Sequence, residues 1–147
     1  MSIDNLYQDI ILEHYRNPKG KGLNVNFDVE VHHVNPSCGD EITLRISVLD
    51  DIVNLSYENS GCSISQASAS MMWELVTGKS VENALALEAE FLSLMQSKGK
   101  GVDEDESLAD AIAFVGVSQF PARVKCALLA WMALKDAVLQ NTRSKYE

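Results

Sequence analysis

The stretch FDVEVHHVNPSCGDEITLRISVLDDIVNLSYENSGC, residues 27–62, carries three runs in which apolar and polar side chains alternate. In the first, Phe27, Val29, Val31 and His33 alternate with Asp28, Glu30 and His32. In the second, Ile42, Leu44, Ile46 and Val48 alternate with Thr43, Arg45 and Ser47. In the third, Val53, Leu55 and Tyr57 alternate with Asn54, Ser56 and Glu58. A period of two is that of a half-buried β-strand. The short connections, Pro36-Ser37-Cys38-Gly39-Asp40 and Asp50-Asp51, predict an antiparallel meander. That topology has a consequence for chemistry. The second strand leaves the Pro36–Asp40 turn and the third returns to end just before Gly61-Cys62, so Cys38, Asp40 and Cys62 are expected at one edge of the sheet.

Outward from the meander, the pattern turns helical. Residues from about Ile3 to Arg16 place Leu6, Tyr7, Ile10, Ile11 and His14 on one face, with Asn17-Pro18-Lys19-Gly20 as the stop. After Cys62, the Ser63/Gln66 spacing is that of a capping box and predicts a helix from Ile64, with Ile64, Ala67, Met71 and Leu75 inward and Gly78 at its end. A helix start favours a neighbouring thiolate, through its unpaired amides and its dipole. Ser80 caps a further expected helix from Val81 to about Ser97, with Ala84, Leu87, Phe91 and Leu94 buried. Residues 98–106, which hold the acidic run Asp103–Glu106, are polar and glycine-bearing and predict an exposed loop. Ser107 and Asp110 have capping spacing for a short helix closed by Gly116. Pro121 opens a last helix to about Thr142, with Val124, Ala127, Trp131, Leu134 and Val138 inward and Cys126 at the margin of that face. The expected fold is α+β: a three-stranded antiparallel sheet packed against several helices, with an N-terminal helix and a long C-terminal one.

Composition narrows the functions. The 147 residues suffice for one domain, taken as 1–147. A formal charge of −9 disfavours nucleic acid and anionic membranes as direct partners. The N-terminus has neither the basic nor the apolar region of a secretion signal, and the uncharged run Cys126–Leu134 is too short to span a bilayer. An odd number of cysteines, three, then points to reduced thiols in a cytoplasmic setting.

A cysteine taken singly is more often a small buried hydrophobe than a ligand. Here Cys38 stands in a turn with Gly39 and Asp40, and Cys62 follows a glycine at a helix start; neither is a core context. Asp40 alone would be a turn-former, and beside Cys38 it becomes a candidate ligand. His33 has the inward parity of its strand and is expected in the core, His32 has the outward parity, and His14 lies on the first helix. Arg123 and Lys125 are either plain surface charges or cations that steady negative charge beside thiolates. Three thiolates and a carboxylate suit tetrahedral zinc and leave no position for a hydrolytic water, while sulfur-rich sites also accept iron–sulfur clusters. No Cys-x-x-Cys pair is present.

Four stretches together carry a family resemblance: Glu13–Pro18 (EHYRNP), Asn35–Asp40 (NPSCGD), Gly61–Ser65 (GCSIS) with Ala67–Met72 (ASASMM), and Phe120–Ala127 (FPARVKCA). In this order they resemble the SufU proteins, the zinc-bearing branch of the IscU-like iron–sulfur assembly family, along nearly the whole chain. The long interval between Cys62 and Cys126 resembles the insertion of that branch, placed around 97–117. Lys125 stands where IscU proteins carry a histidine, and Phe120–Val124 replaces their chaperone-recognition segment; both departures are similar to SufU.

The resemblance implies zinc held by Cys38, Asp40, Cys62 and Cys126. It implies a SufS-type cysteine desulfurase as the persulfide donor, one of whose histidines replaces the first cysteine on zinc and frees Cys38 as acceptor. It also implies delivery to downstream iron–sulfur assembly machinery. A scaffold for a transient iron–sulfur cluster at the same cysteines is the alternative.

Overall fold

Val29–Asn35 (β1), Asp40–Leu49 (β2) and Ile52–Ser60 (β3) form the expected antiparallel sheet, ordered β1-β2-β3. The coordinates are a computed structural model, which describes residues 3–102 and 106–145. Asn35 pairs with Asp40 across the first turn, and Glu41 with Ser60, so the end of β3 lies beside the start of β2. The β2–β3 hairpin closes on Asp50 and Asp51, both at positive φ (51° and 66°), the left-handed pair that a two-residue turn between twisted strands requires. One face of the sheet carries the core residues Val31, Ile42, Leu44, Ile46, Val53, Leu55 and Tyr57.

Phe27 lies outside β1. It is exposed, with the Arg45 guanidinium 4.4 Å from its ring centroid.

The helices are Ile3–Arg16 (α1), Ser63–Val76 (α2), Val81–Met95 (α3) and Pro121–Lys145 (α4). α4 lies across β1 and β2 on the buried face, and α2 packs between α1 and α4. Phe91 of α3 stacks on Trp131 of α4 at 4.6 Å and meets Phe114 edge-on at 5.8 Å, the aromatic centre of the core.

Three expectations shift, and part of a fourth lies outside the described residues. Residues Glu106–Val115 form a 3-10 segment broken at Ala109 (φ +44°), where a regular short helix was expected. Leu6 is exposed although Tyr7, Ile10 and Ile11 are part-buried and His14 is buried. His33 faces inward but sits at the sheet margin, where its Nε2 meets Asp136 Oδ2 of α4 at 2.8 Å. Asp103–Asp105 of the acidic run lie outside the described residues. Among the described residues, no helix is long and apolar enough to cross a membrane.

Candidate metal centre

The β1–β2 turn is built on Asn35. Its backbone carbonyl accepts from the amides of Cys38 (3.3 Å) and Gly39 (2.9 Å), and its side-chain Oδ1 accepts from the Ser37 amide (3.2 Å). Gly39 takes φ +71°, a left-handed value that costs glycine little, and turns the chain back into β2. The result sets the Cys38 thiol over Asp40, the first residue of β2.

Asp40 is fully buried and joins two segments. Its Oδ2 accepts from the Cys38 thiol at 3.0 Å and from the Cys62 thiol at 3.7 Å, and its Oδ1 accepts from the Cys62 amide at 2.8 Å. That last bond fixes Cys62 as the N-cap of α2, and the helix therefore begins at Ser63. The expected capping box is not formed. Ser63 is already helical, Gln66 donates to the Gly61 carbonyl (2.8 Å), and Ser65 donates to the Cys62 carbonyl (3.0 Å). Gly61 passes so close to Asp40 that a Cβ there would meet its Oδ1 at 2.1 Å and its Cα at 2.9 Å.

Cys126 arrives from α4, buried, with its sulfur 3.2 Å from that of Cys38. The donor atoms of Cys38, Asp40 and Cys126 all lie within 4.8 Å of one another, and Cys62 joins them through Asp40. Cys38 and Cys62 are exposed. All four sequence-predicted ligands are thus in one place, supplied by a turn, a strand start, a helix cap and the second turn of a helix.

Arg123 and Lys125 flank the thiols. Together with the three cysteines, Ser37, Ile64 and Ala122, they line an open cavity of about 330 Å³, and the Arg123 guanidinium lies 4.6 Å from the centroid of the Phe120 ring.

The electrostatics are those of a site that wants a cation. Burial pushes the Cys126 thiol well above its ordinary value, with Asp40 and the other two thiols adding to the rise. Cys38 is also raised, chiefly by its hydrogen bond to Asp40. For Asp40, burial acts upward but is outweighed by the donors around it, Cys38 and the Cys62 amide foremost, and the carboxyl is held below its usual value. A divalent cation reverses the balance at the thiols, because a coordinating thiol is deprotonated outright. Sulfur donors with one carboxylate at this spacing fit zinc, which takes Cys and Asp ligands in a closed tetrahedral set.

Two features were not read from the sequence. Asn35 donates from Nδ2 to the Cys38 sulfur (3.0 Å) and faces the Cys126 sulfur at 4.0 Å; its only sequence signal was membership of the NPSCGD motif. His14, placed correctly on the inner face of α1, bonds Ser70 Oγ of α2 (2.8 Å) and Asp110 Oδ2 of the 3-10 segment (3.2 Å). It lies outside the thiol group and ties three elements together.

Comparison with known proteins supplies the context for this geometry. Residues 6–127 match the family described as the NifU-like N terminal domain. The chain is similar to the zinc-dependent sulfurtransferase SufU of Bacillus subtilis (strain 168), with 46% identity over 141 residues that cover 95% of this chain and 94% of the relative. It is 36% identical over 145 residues to the iron-sulfur cluster assembly scaffold protein IscU of Streptococcus pyogenes serotype M1, covering 98% and 89%. Among solved structures, the N-terminal part of a NifU-like protein from Brucella abortus superposes with a TM-score of 0.85 at 25% identity, covering 96% of this chain and 97% of that one.

Proposed function

Because the chain belongs to the family of NifU-like N-terminal domains, and the matched residues 6–127 include all four convergent donors, we propose that it is a zinc-dependent sulfur-transfer protein of iron–sulfur cluster assembly. The observation that carries the reading is the meeting of Cys38, Asp40 and Cys126 within 4.8 Å, with Cys62 tied to Asp40. Cys38, Asp40, Cys62 and Cys126 would hold the metal. Bound zinc would keep these thiols ionised at neutral pH and shield them from oxidation.

The chain's own residues divide the remaining work. Cys62 is the N-cap of a helix with its amide bonded to buried Asp40, and Cys126 is buried on a helix, so the backbone of both is anchored. Cys38 sits in a surface turn. It is the thiol that can swing outward with the smallest backbone change, and it is the acceptor in this reading. Its thiolate attacks the terminal sulfur of a persulfide on a cysteine desulfurase of the SufS type. A bond forms between Cys38 Sγ and that sulfur, the donor's S–S bond breaks, and the electron pair leaves on the donor's cysteine thiolate. Arg123 and Lys125, exposed beside the thiols, supply positive charge where the persulfide anion would sit.

Three free cysteines suit a reducing cytoplasm, and the sulfur would pass on to downstream iron–sulfur assembly machinery. In the same reading, 1–147 is one domain in which segment 97–117 is a branch-specific insertion.

The test uses the zinc-loaded chain incubated with a desulfurase and cysteine. Mass spectrometry should find an added sulfur on Cys38, and Cys38→Ala should abolish the chain's enhancement of alanine release. An undiminished enhancement rejects the role of Cys38. The scaffold reading is favoured by the IscU relative, which is described as an assembly scaffold. Anaerobic protein that gains a labile brown iron–sulfur chromophore and passes it to an apo-acceptor would support that reading; colourless protein with one zinc supports sulfur transfer.

A further inference from the structure

We propose that Asn35 is a positioning residue that donates N–H···S hydrogen bonds to the ligand thiols and restrains Cys38 from leaving the site. The inference rests on the reading of these thiols as metal ligands. Asn35 is buried, 8% exposed, as the last residue of β1. Its Nδ2 stands 3.0 Å from Cys38 Sγ and 4.0 Å from Cys126 Sγ, so one amide group faces two sulfurs that come from different elements. The amide orientation is fixed by its other end, because Oδ1 accepts from the Ser37 amide at 3.2 Å. Turning the group over would set an NH₂ against that N–H and a carbonyl oxygen against the sulfurs.

The chemistry suits a metal–thiolate better than a charged donor would. A thiolate only accepts, and a neutral amide draws charge from it without adding a cation beside the metal. Arg123 and Lys125 cannot fill this place, since both are exposed on the outer rim. Asp40, the other buried polar group in contact with Cys38, is an acceptor. The same residue's carbonyl also holds the amides of Cys38 and Gly39. Asn35 therefore grips the turn by its backbone and the sulfur by its side chain, and Cys38 must break the Nδ2 bond before it can swing outward. Donors of this outer kind typically change metal affinity or activity by roughly 10–100-fold when removed.

The decisive measurement uses the full chain loaded with ¹¹³Cd at the thiols and ¹⁵N-labelled. The Asn35 side-chain amide protons should show scalar coupling to cadmium through the N–H···S bond. In the zinc-loaded protein, Asn35→Ala should raise the alkylation rate of Cys38 by iodoacetamide roughly tenfold and weaken zinc binding by roughly 10–100-fold. Asn35→Asp, which keeps an oxygen for the Ser37 amide but faces the sulfurs with negative charge, should go further in both. If either variant fails to fold, the coupling in the unaltered chain decides. No coupling, or alkylation unchanged in folded variants, overturns the role of Asn35 and leaves the sulfur-transfer reading intact. A chain that takes up no cadmium or zinc at its thiols overturns both.

Discussion

At the scale of single residues, the site turns on how Asp40 is confined. Its Oδ1 is held by the Cys62 amide and its flank is pressed by Gly61, which adopts φ +135°. Gly61→Ala would put a methyl group 2.1 Å from Oδ1 and add left-handed strain of about 1–3 kcal/mol. The carboxylate would have to move, so zinc affinity, measured by competition with a chromophoric chelator, should fall roughly 10–100-fold. Unchanged affinity would show that Asp40 has room to spare.

The thiols give a second prediction at this scale. Cys38 and Cys126 are both raised above the ordinary cysteine value and so carry protons at neutral pH until a cation displaces them. Binding must release those protons, and affinity should therefore rise with pH, by about tenfold per unit for each proton displaced. Calorimetry in buffers of different ionisation enthalpy would count the protons; affinity that stays flat from slightly acid to slightly alkaline pH would contradict the raised thiols.

At the scale of elements, α2 is the piece that makes the site rigid, and it does so with serines. Ser68 is buried; its hydroxyl donates to the Ala127 carbonyl (2.6 Å) and accepts from the Trp131 indole (3.1 Å), bolting α2 to the part of α4 that carries Cys126. Ser68→Ala strands a buried indole N–H, a loss of about 1–3 kcal/mol by denaturant titration. It should also loosen Cys126 relative to Cys62 and so speed zinc loss to a chelator. Normal zinc retention in a destabilised variant would show that the bolt serves the core alone.

These serines also mark the limit of what the sequence disclosed. The strands were legible because a period of two admits one buried face, and the meander carried Cys38, Asp40 and Cys62 to one edge by topology alone. The face of α3 was legible for the same reason at a helical period. In α2 the alternation Ala67-Ser68-Ala69-Ser70 gave no such signal, since small polar residues on a helix buried on nearly every side are satisfied only by partners far along the chain, such as His14, Ala127 and Trp131. The start of α2 was placed one residue late for a like reason, because its cap is governed by Asp40, 22 residues upstream. Asn35 carried no signal beyond its place in the NPSCGD motif, and its amide faces two sulfurs.

For the molecule as a whole, the question is whether the metal makes the fold or the fold makes the metal site. The largest buried side chains, among them Trp131, Tyr57, Phe91 and Phe114, form a continuous cluster with the sheet and α2–α4, and none of them touches the thiols through any hydrogen bond. Burial of each such side chain contributes about 1.5–3 kcal/mol, and none of that burial draws on a cation. A metal held at these donors would then stitch three margins of that body: the β1–β2 turn, the cap of α2 and the first turns of α4. On this argument, removing zinc should lower stability without abolishing structure. A ligand present at a thousand times its dissociation constant stabilises by about 4 kcal/mol, and for a chain of this length each kcal/mol moves Tm by about 2–4 °C. Chelation should therefore lower Tm by roughly 10 °C, while the far-UV circular dichroism keeps its helical intensity and Trp131 stays buried by fluorescence. Restoring zinc should recover the full Tm, and Cys126→Ser should reproduce the chelated value without chelator. A chelated chain with the dichroism of a coil at 25 °C would reverse the order of dependence, since it would mean that the core cannot hold the four donors together until the metal has already joined them.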